Sequence, residues 1–275
     1  MSINSMYRWY RQATVCLVYL SDVSYTPRGR VNLSLCRWLR RGWTLQELIA
    51  SETVEFFDTD WKSLGSKSSL RNHLATITGI DEQVLANPGR IGKVSVAQRM
   101  SWASKRETRL EEDSAYCLMG LFGVQMPTLY GEGKERAFRR LQEEIIRYSD
   151  DHSVFAWLDP PPVGDRRGLL APHAACFEQT GVYRSLPTPG NARPYAMTNK
   201  GLDIDLYLQQ HPQEDKYIAS LDCPIDRDHY LGIFLKCISA ESRQYVRTDA
   251  YKFCQVRASG RGTLTPVYVV QEIEI

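Results

Sequence analysis

Apolar positions recur at helical spacing over residues 5–14, where Met6, Trp9, Tyr10 and Ala13 are interleaved with arginines. The run Val15-Cys16-Leu17-Val18-Tyr19-Leu20 comes next without a polar break. Such a β-favouring run predicts a strand covered on both faces, as in a parallel sheet. Residues 22–32 hold Pro27 and Gly29 and read as a loop. From 33 to 50 the pattern turns helical, with Gly42 marking a break or a helix start, and 53–58 alternates as a second strand. Strand, loop, helix and strand in this order make one βαβ unit with a right-handed crossover.

Three further helices are predicted. Leu70, Leu74 and Ile77 form a stripe that stops at Gly79; Ser95 with Gln98 makes a capping box; and 111–119 opens on acids and ends at Gly120. A longer helix over 134–148 places Phe138, Leu141, Ile145 and Tyr148 on one face. Near residue 150 (within about ten residues) helical periodicity gives way to short β-type runs at 153–157, 217–221, 230–235, 245–248, 253–256 and 267–272. Pro160-Pro161-Pro162 and Thr188-Pro189-Gly190-Asn191 punctuate them, so 151–275 reads as an antiparallel sandwich or barrel after a first region at 1–150.

Composition changes this picture little. A net charge of +2 is too small to argue for a nucleic-acid or membrane partner, and no window approaches a membrane span. The polar, aromatic N-terminus lacks an apolar signal core, which places the chain in the cytoplasm. The seven cysteines are odd in number and scattered, with no Cys-x-x-Cys. Read with no histidine at ligand spacing, they predict neither a disulfide framework nor a zinc site, and Cys16, Cys117 and Cys237 are expected in the core.

Gly131-Glu132-Gly133-Lys134 invites a phosphate-loop reading, but position 128 is Thr and Glu135 comes after the lysine, so a flexible helix start fits better. The informative stretch is Arg41-Gly42-Trp43-Thr44-Leu45-Gln46-Glu47-Leu48-Ile49-Ala50. A helix from Trp43 sets Glu47 one turn on along the same face, toward the carboxyl ends of the strands. A carboxylate beside an aromatic wall has a raised pKa and can accept hydrogen bonds from a sugar hydroxyl. On pattern alone the better reading of Glu47 is an ordinary solvent-facing helix glutamate.

That stretch, with Val54-Glu55-Phe56-Phe57 after it, resembles the signature of fungal heterokaryon-incompatibility (HET) domains. Asn4-Ser5-Met6-Tyr7-Arg8-Trp9-Tyr10 and Val18-Tyr19-Leu20-Ser21-Asp22-Val23 look like the segment on its N-terminal side. Ser101-Trp102-Ala103, the run from Arg109 through Glu111-Glu112-Asp113 to Gly120, and Leu129-Tyr130-Gly131-Glu132-Gly133 look like the segments on its C-terminal side. The resemblance implies an α+β chain: a truncated TIR-like α/β unit with a helical extension, then the family's antiparallel β-rich domain.

HET domains are similar to TIR domains, some of which hydrolyse NAD through a Trp-Cys-x-x-Glu helix. By that resemblance Glu47 is the catalytic carboxylate and Trp43 lies at the ligand, with Thr44 in the cysteine's place. NAD is then a substrate, with no bound cofactor and no metal. The family's opening Leu-Ser-His-Thr-Trp-like strand has no counterpart before Met1-Ser2-Ile3, so this chain by itself is expected to be an N-terminally incomplete, inactive unit. The implied role is non-self recognition and programmed cell death. The alternative is a non-enzymatic module that associates with itself or with other HET or TIR-like domains.

Overall fold

The computed structural model describes residues 3–24, 33–159, 167–186, 193–212 and 215–271. The loop expected over 22–32 lies mostly outside these residues, and the punctuation at 160–162 and 188–191 wholly outside them. The chain forms two compact units, Met1–Val94 with Ser101–Leu141, and Ser95–Met100 with Gln142–Ile275. The short upstream segment joins the second unit through its helix start: the Val96 amide donates to Asp151 Oδ2 (2.7 Å) and the Ala97 amide to Ser153 Oγ (3.0 Å). A helix N-terminus needs such acceptors.

In the first unit, α1 (Met6–Gln12) leads into β1 (Cys16–Tyr19). Two short helices, α2 (Arg37–Arg40) and α3 (Thr44–Ala50), precede β2 (Val54–Phe57). β1 and β2 pair in parallel, with Cys16 opposite Val54 and Tyr19 opposite Phe57, the pairing that the strand–helix–strand pattern predicts. A strand absent from the sequence reading, β3 (Ser63–Ser66), adds antiparallel to β2, giving the order β1-β2-β3. Val18, Leu20, Val54 and Phe56 form the buried face, and Leu45, Leu48 and Ile49 of α3 are also fully buried. The expectation of a strand covered on both faces is corrected: Leu17 is 60% and Tyr19 42% exposed. Burial alternates along β1, with Cys16 and Val18 on the covered face and Leu17 and Tyr19 on the open one; separately, β1 ends the sheet among the described residues.

The helical extension comprises α4 (Arg71–Thr78), α5 (Glu82–Ala86), α6 (Val96–Ser101), α7 (Asp113–Tyr116), α8 (Met119–Phe122) and α9 (Lys134–Ile146). Gly79 ends α4 in the left-handed conformation, and Ser95 Oγ accepts the Gln98 amide at the start of α6. The single helix expected over 111–119 is instead α7 and α8. The Cys117 carbonyl between them accepts from Gln46 Nε2 (2.6 Å), which takes it out of the helical ladder.

In the second unit, residues 153–157 are not the expected strand. Asp151 caps a 3-10 turn, His152–Phe155, by accepting the Ser153 amide (2.8 Å). The strands are β4 (Ala196–Thr198), β5 (Gly201–Gln210), β6 (Lys216–Pro224), β7 (His229–Ser239), β8 (Gln244–Thr248), β9 (Cys254–Arg257) and β10 (Thr263–Val269). β5, β6, β7, β8 and β10 close into a barrel, because β10 pairs both with β8 and with β5. The β8–β10 pair is parallel; the other pairs are antiparallel. Alternate residues fill the interior: Leu202, Ile204, Leu206, Leu221, Cys223, Ile233, Leu235 and Val267 are buried. Cys237 is half-buried, not in the core. No helix among the described residues is long and apolar enough to cross a membrane.

Candidate functional site

Much of the segment 41–50 is occupied by structural tasks. Gly42 is required for space: a Cβ there would stand 2.6 Å from Thr108 Cγ2 and 3.0 Å from Cys117 Sγ. The strand-like pairing of Arg41 with Glu107 brings that segment in, with Gly42 N donating to Glu107 O (2.9 Å). Trp43 Nε1 donates to Asp113 Oδ2 (3.0 Å). Thr44 is buried and its hydroxyl donates to the carbonyls of Trp38 and Arg41, closing the end of α2. Gln46 reaches the Cys117 carbonyl.

The Gly131–Gly133 turn is bound in the same way. Glu112 Oε1 accepts the amides of Gly131 (2.8 Å) and Gly133 (3.1 Å). Hydrogen bonds from its own amide and from these two hold the Glu112 carboxyl below its usual range. The amides that a phosphate would need already serve this carboxylate. Tyr116 donates its hydroxyl to Glu132 Oε1 (2.7 Å) and Tyr130 to Asp113 Oδ1 (3.0 Å). Three stretches distant in sequence are thereby tied into one network.

Glu47 stands apart from that network. It is half-buried on α3, with the Tyr10 hydroxyl and the Trp38 indole as the polar neighbours of its carboxylate. Burial raises its pKa, while those two donors and the charges of Arg41 and Arg106 pull it down. Tyr10 is pushed up to about 12, by burial first and then by the Glu47 charge. Arg106 is brought down to about 10 by burial and fixed by its bonds to the carbonyls of Trp102 (3.1 Å) and Arg41 (2.9 Å). The aromatic partners of Glu47 are thus Tyr10 and Trp38, with the Trp43 indole committed to Asp113. The sequence pattern assigned Tyr10 only a place on the N-terminal helix stripe and did not single out Trp38 or Arg106.

Below Glu47, α3 ends on a buried cation. Lys67, 3% exposed, donates Nζ to the carbonyls of Leu48 (3.2 Å) and Ser51, where a helix C-terminus favours positive charge. Burial nevertheless brings its pKa down to about 8. Cys16 on β1 feels both charges: burial and Glu47 raise its pKa, and Ser51 and Lys67 lower it. Helix α3 therefore carries a half-buried carboxylate under aromatic and arginine neighbours and is anchored at its far end by a lysine. Such a group can hold or release a proton near a bound polar ligand.

In the second unit the structure joins three residues that the sequence reading left apart. A carboxylate oxygen of Asp159, a ring nitrogen of His173 and Sγ of Cys176 all lie within 4.8 Å of one another. The spacing His173-x-x-Cys176 is present in the sequence, and it corrects the reading that no histidine stands at ligand spacing from a cysteine. All seven cysteines are unpaired.

A family described as a domain of unknown function (DUF8212) matches residues 136–184. No solved structure matches. The vegetative incompatibility protein HET-E-1 of Podospora anserina is 45% identical over 151 residues, covering 52% of this chain and 11% of that protein. Over about half its length, the chain is similar to a fungal vegetative incompatibility protein.

Proposed function

We propose that this chain acts in fungal vegetative incompatibility, in non-self recognition leading to cell death, through a TIR-like unit in which Glu47 is the catalytic carboxylate for NAD cleavage. The observation that carries the reading is the setting of Glu47: half-buried on α3 and raised in proton affinity by burial, with Tyr10, Trp38, Arg41 and Arg106 as the polar and charged groups that act on its carboxylate. The similarity to HET-E-1 supports the biological role, and the parallel β1–β2 pair with α3 between them supports the α/β frame. In this reading the nicotinamide ribose hydroxyls displace Tyr10 and Trp38 from the carboxylate. The Glu47 charge then stabilises the oxocarbenium-like centre left when nicotinamide departs, an electrostatic effect that is strongest away from water.

The interaction-module reading draws on a separate observation. β1 ends its sheet among the described residues and exposes Leu17 and Tyr19, with Trp61, itself 61% exposed, stacked on Tyr19 at 4.9 Å. An uncovered strand edge of this kind pairs readily with a strand of another domain.

Expression in a fungal host separates the two, because the host's own related domains can supply partners. Growth arrest with loss of cellular NAD, both abolished by Glu47→Gln, is the expected result. Arrest that persists in Glu47→Gln with NAD intact would replace the enzymatic reading by the interaction reading. Normal growth with intact NAD in the unaltered chain would overturn the proposal.

A further inference from the structure

The Asp159, His173 and Cys176 group sits on a frame built to hold it. His173 precedes a single 3-10 turn, Ala174–Phe177, which carries Cys176 as its third residue, and the Cys176 amide donates to the His173 carbonyl (3.2 Å). The Leu158 amide donates to the Cys176 carbonyl (3.0 Å), drawing the segment before Asp159 against that turn, and the Asp159 amide donates to the Ala250 carbonyl (2.9 Å). Arg167 is fixed on β8 by two backbone bonds with Arg247, each 2.8 Å. Both Arg167 bonds to the carboxylate, 3.1 Å from Nε and 2.9 Å from Nη2, fall on Oδ2 and leave Oδ1 to other use. Asp159 and Cys176 are buried and His173 is half-buried, so the group is reachable from the histidine side.

The Cys176 Sγ to His173 Nδ1 distance is 3.6 Å. A tetrahedral zinc ion, about 2.3 Å from sulfur and about 2.0 Å from nitrogen, sets these two atoms roughly 3.5 Å apart. The pair therefore already stands at ligand–ligand separation, and the carboxylate has only to close from within 4.8 Å. We propose that Asp159, His173 and Cys176 form a binding site for a zinc-like divalent cation, with three protein ligands and a fourth position open. Thiolate, imidazole and carboxylate are the donor set that a borderline-soft dication prefers. Binding exchanges the Cys176 thiol proton for the ion and releases that proton to water.

Charge identifies the fourth ligand. One thiolate and one carboxylate neutralise a dication, which leaves Arg167 and the fully buried Arg247 in excess. Arg247 cannot turn to help: its guanidinium lies 3.9 Å from the Trp157 ring centre and donates to the carbonyls of Phe155 (2.9 Å) and Trp157 (2.6 Å). The open position therefore takes an anion; in the absence of any other this is hydroxide, formed from a bound water that gives a second proton to solvent.

The test uses the full chain stripped with a chelator, then titrated with Zn²⁺ against a chromophoric competitor and separately with Co²⁺. One equivalent should bind, cobalt should give a thiolate charge-transfer band, and zinc should protect Cys176 from alkylation, read by peptide mass spectrometry. Cys176→Ser should abolish the band and weaken zinc binding by at least about 100-fold, beyond what loss of an outer-shell partner costs. Should Cys176→Ser misfold, the alkylation pattern of the unaltered protein decides. Protection of Cys176 among the seven cysteines upholds the site. Protection of none of them, substoichiometric zinc, or a cobalt spectrum without the thiolate band overturns it and leaves the 3.6 Å contact as a thiol–imidazole hydrogen bond.

Discussion

The indole of Trp43 and the carboxylate of Asp113, 70 positions apart in the chain, meet in a 3.0 Å hydrogen bond. The other oxygen of Asp113 accepts from Tyr130 at 3.0 Å, so one buried carboxylate serves two aromatic donors. Hydrogen bonds to a charged group are worth about 1.5–3 kcal/mol when the partner is left unsatisfied. Trp43→Phe and Tyr130→Phe are each expected to cost about 1.5–3 kcal/mol, and Asp113→Ala more than either, because it strands both donors. Urea unfolding of the three variants checks the order; Asp113→Ala milder than Trp43→Phe would remove the network's structural role.

Gly120, inside α8, gives a second measurable contact. A Cβ there would collide with Tyr7 Cβ and stand 2.8 Å from Gln46 Oε1. Alanine is intrinsically about 1 kcal/mol better than glycine in a helix, whereas overpacking costs about 1–3 kcal/mol. Gly120→Ala is therefore expected to destabilise on balance, with a lowered thermal midpoint. A raised midpoint would mean that α1 yields freely to α8.

These contacts explain what the sequence could and could not disclose. β1, β2 and α3 were legible because an apolar run, a glycine and a 3.6-residue stripe are local signals. β5 was missed although Leu202, Ile204 and Leu206 alternate, because Asp203 and Asp205 stand between them; Arg193 pairs with both carboxylates. Residues 153–157 looked like a strand because Val154, Phe155 and Trp157 are apolar, but the Asp151 cap that turns them is a side-chain effect. At the site, the spacing of Trp43 and Glu47 along one helix face was visible. The commitment of the Trp43 indole to Asp113, and the arrival of Tyr10, Trp38 and Arg106 around Glu47, depend on tertiary packing.

Acid sensitivity should come from His152. It is 2% exposed; its Nδ1 accepts the Asp222 amide at 3.1 Å, and its Nε2 is buried without a hydrogen-bond partner among the described residues. Nδ1 also lies 3.7 Å from Asp222 Oδ2, which would be an ion pair only with a proton on that nitrogen. The amide already donates there, so the neutral ring is the folded form. Burial accordingly lowers its pKa, against the pull of Asp222. In the unfolded chain the ring titrates near about 6.5. Below that pH the unfolded state takes up a proton that the folded state refuses, so stability falls as pH drops and is fully present above it. His152→Asn keeps an acceptor at the Nδ1 position. It should cost about 1–2 kcal/mol in lost packing near neutrality and flatten the acid limb. An unchanged pH slope in this variant would assign acid sensitivity to another group.

Glu47 allows a stability measurement that bears on its role without any substrate. Its folded carboxyl is raised above the unfolded value by burial. Between those two values the folded state binds more protons, so stability declines as pH rises through that window. Above it, ionised Glu47 is a standing cost to the fold. A residue that costs stability in its working charge state is what a functional site produces, and its removal should relieve the strain. Glu47→Gln is thus expected to flatten this decline and to leave the neutral-pH protein as stable or more stable, by up to about 1 kcal/mol. The opposite outcome has a definite meaning as well. If the carboxylate were chiefly an anchor for Tyr10, Trp38, Arg41 and Arg106, Glu47→Gln would leave charged and polar partners unsatisfied and cost about 1–3 kcal/mol. Thermal unfolding of the two proteins from acid to neutral pH distinguishes the cases, and a clear loss of stability at neutrality would count against Glu47 as a catalytic group.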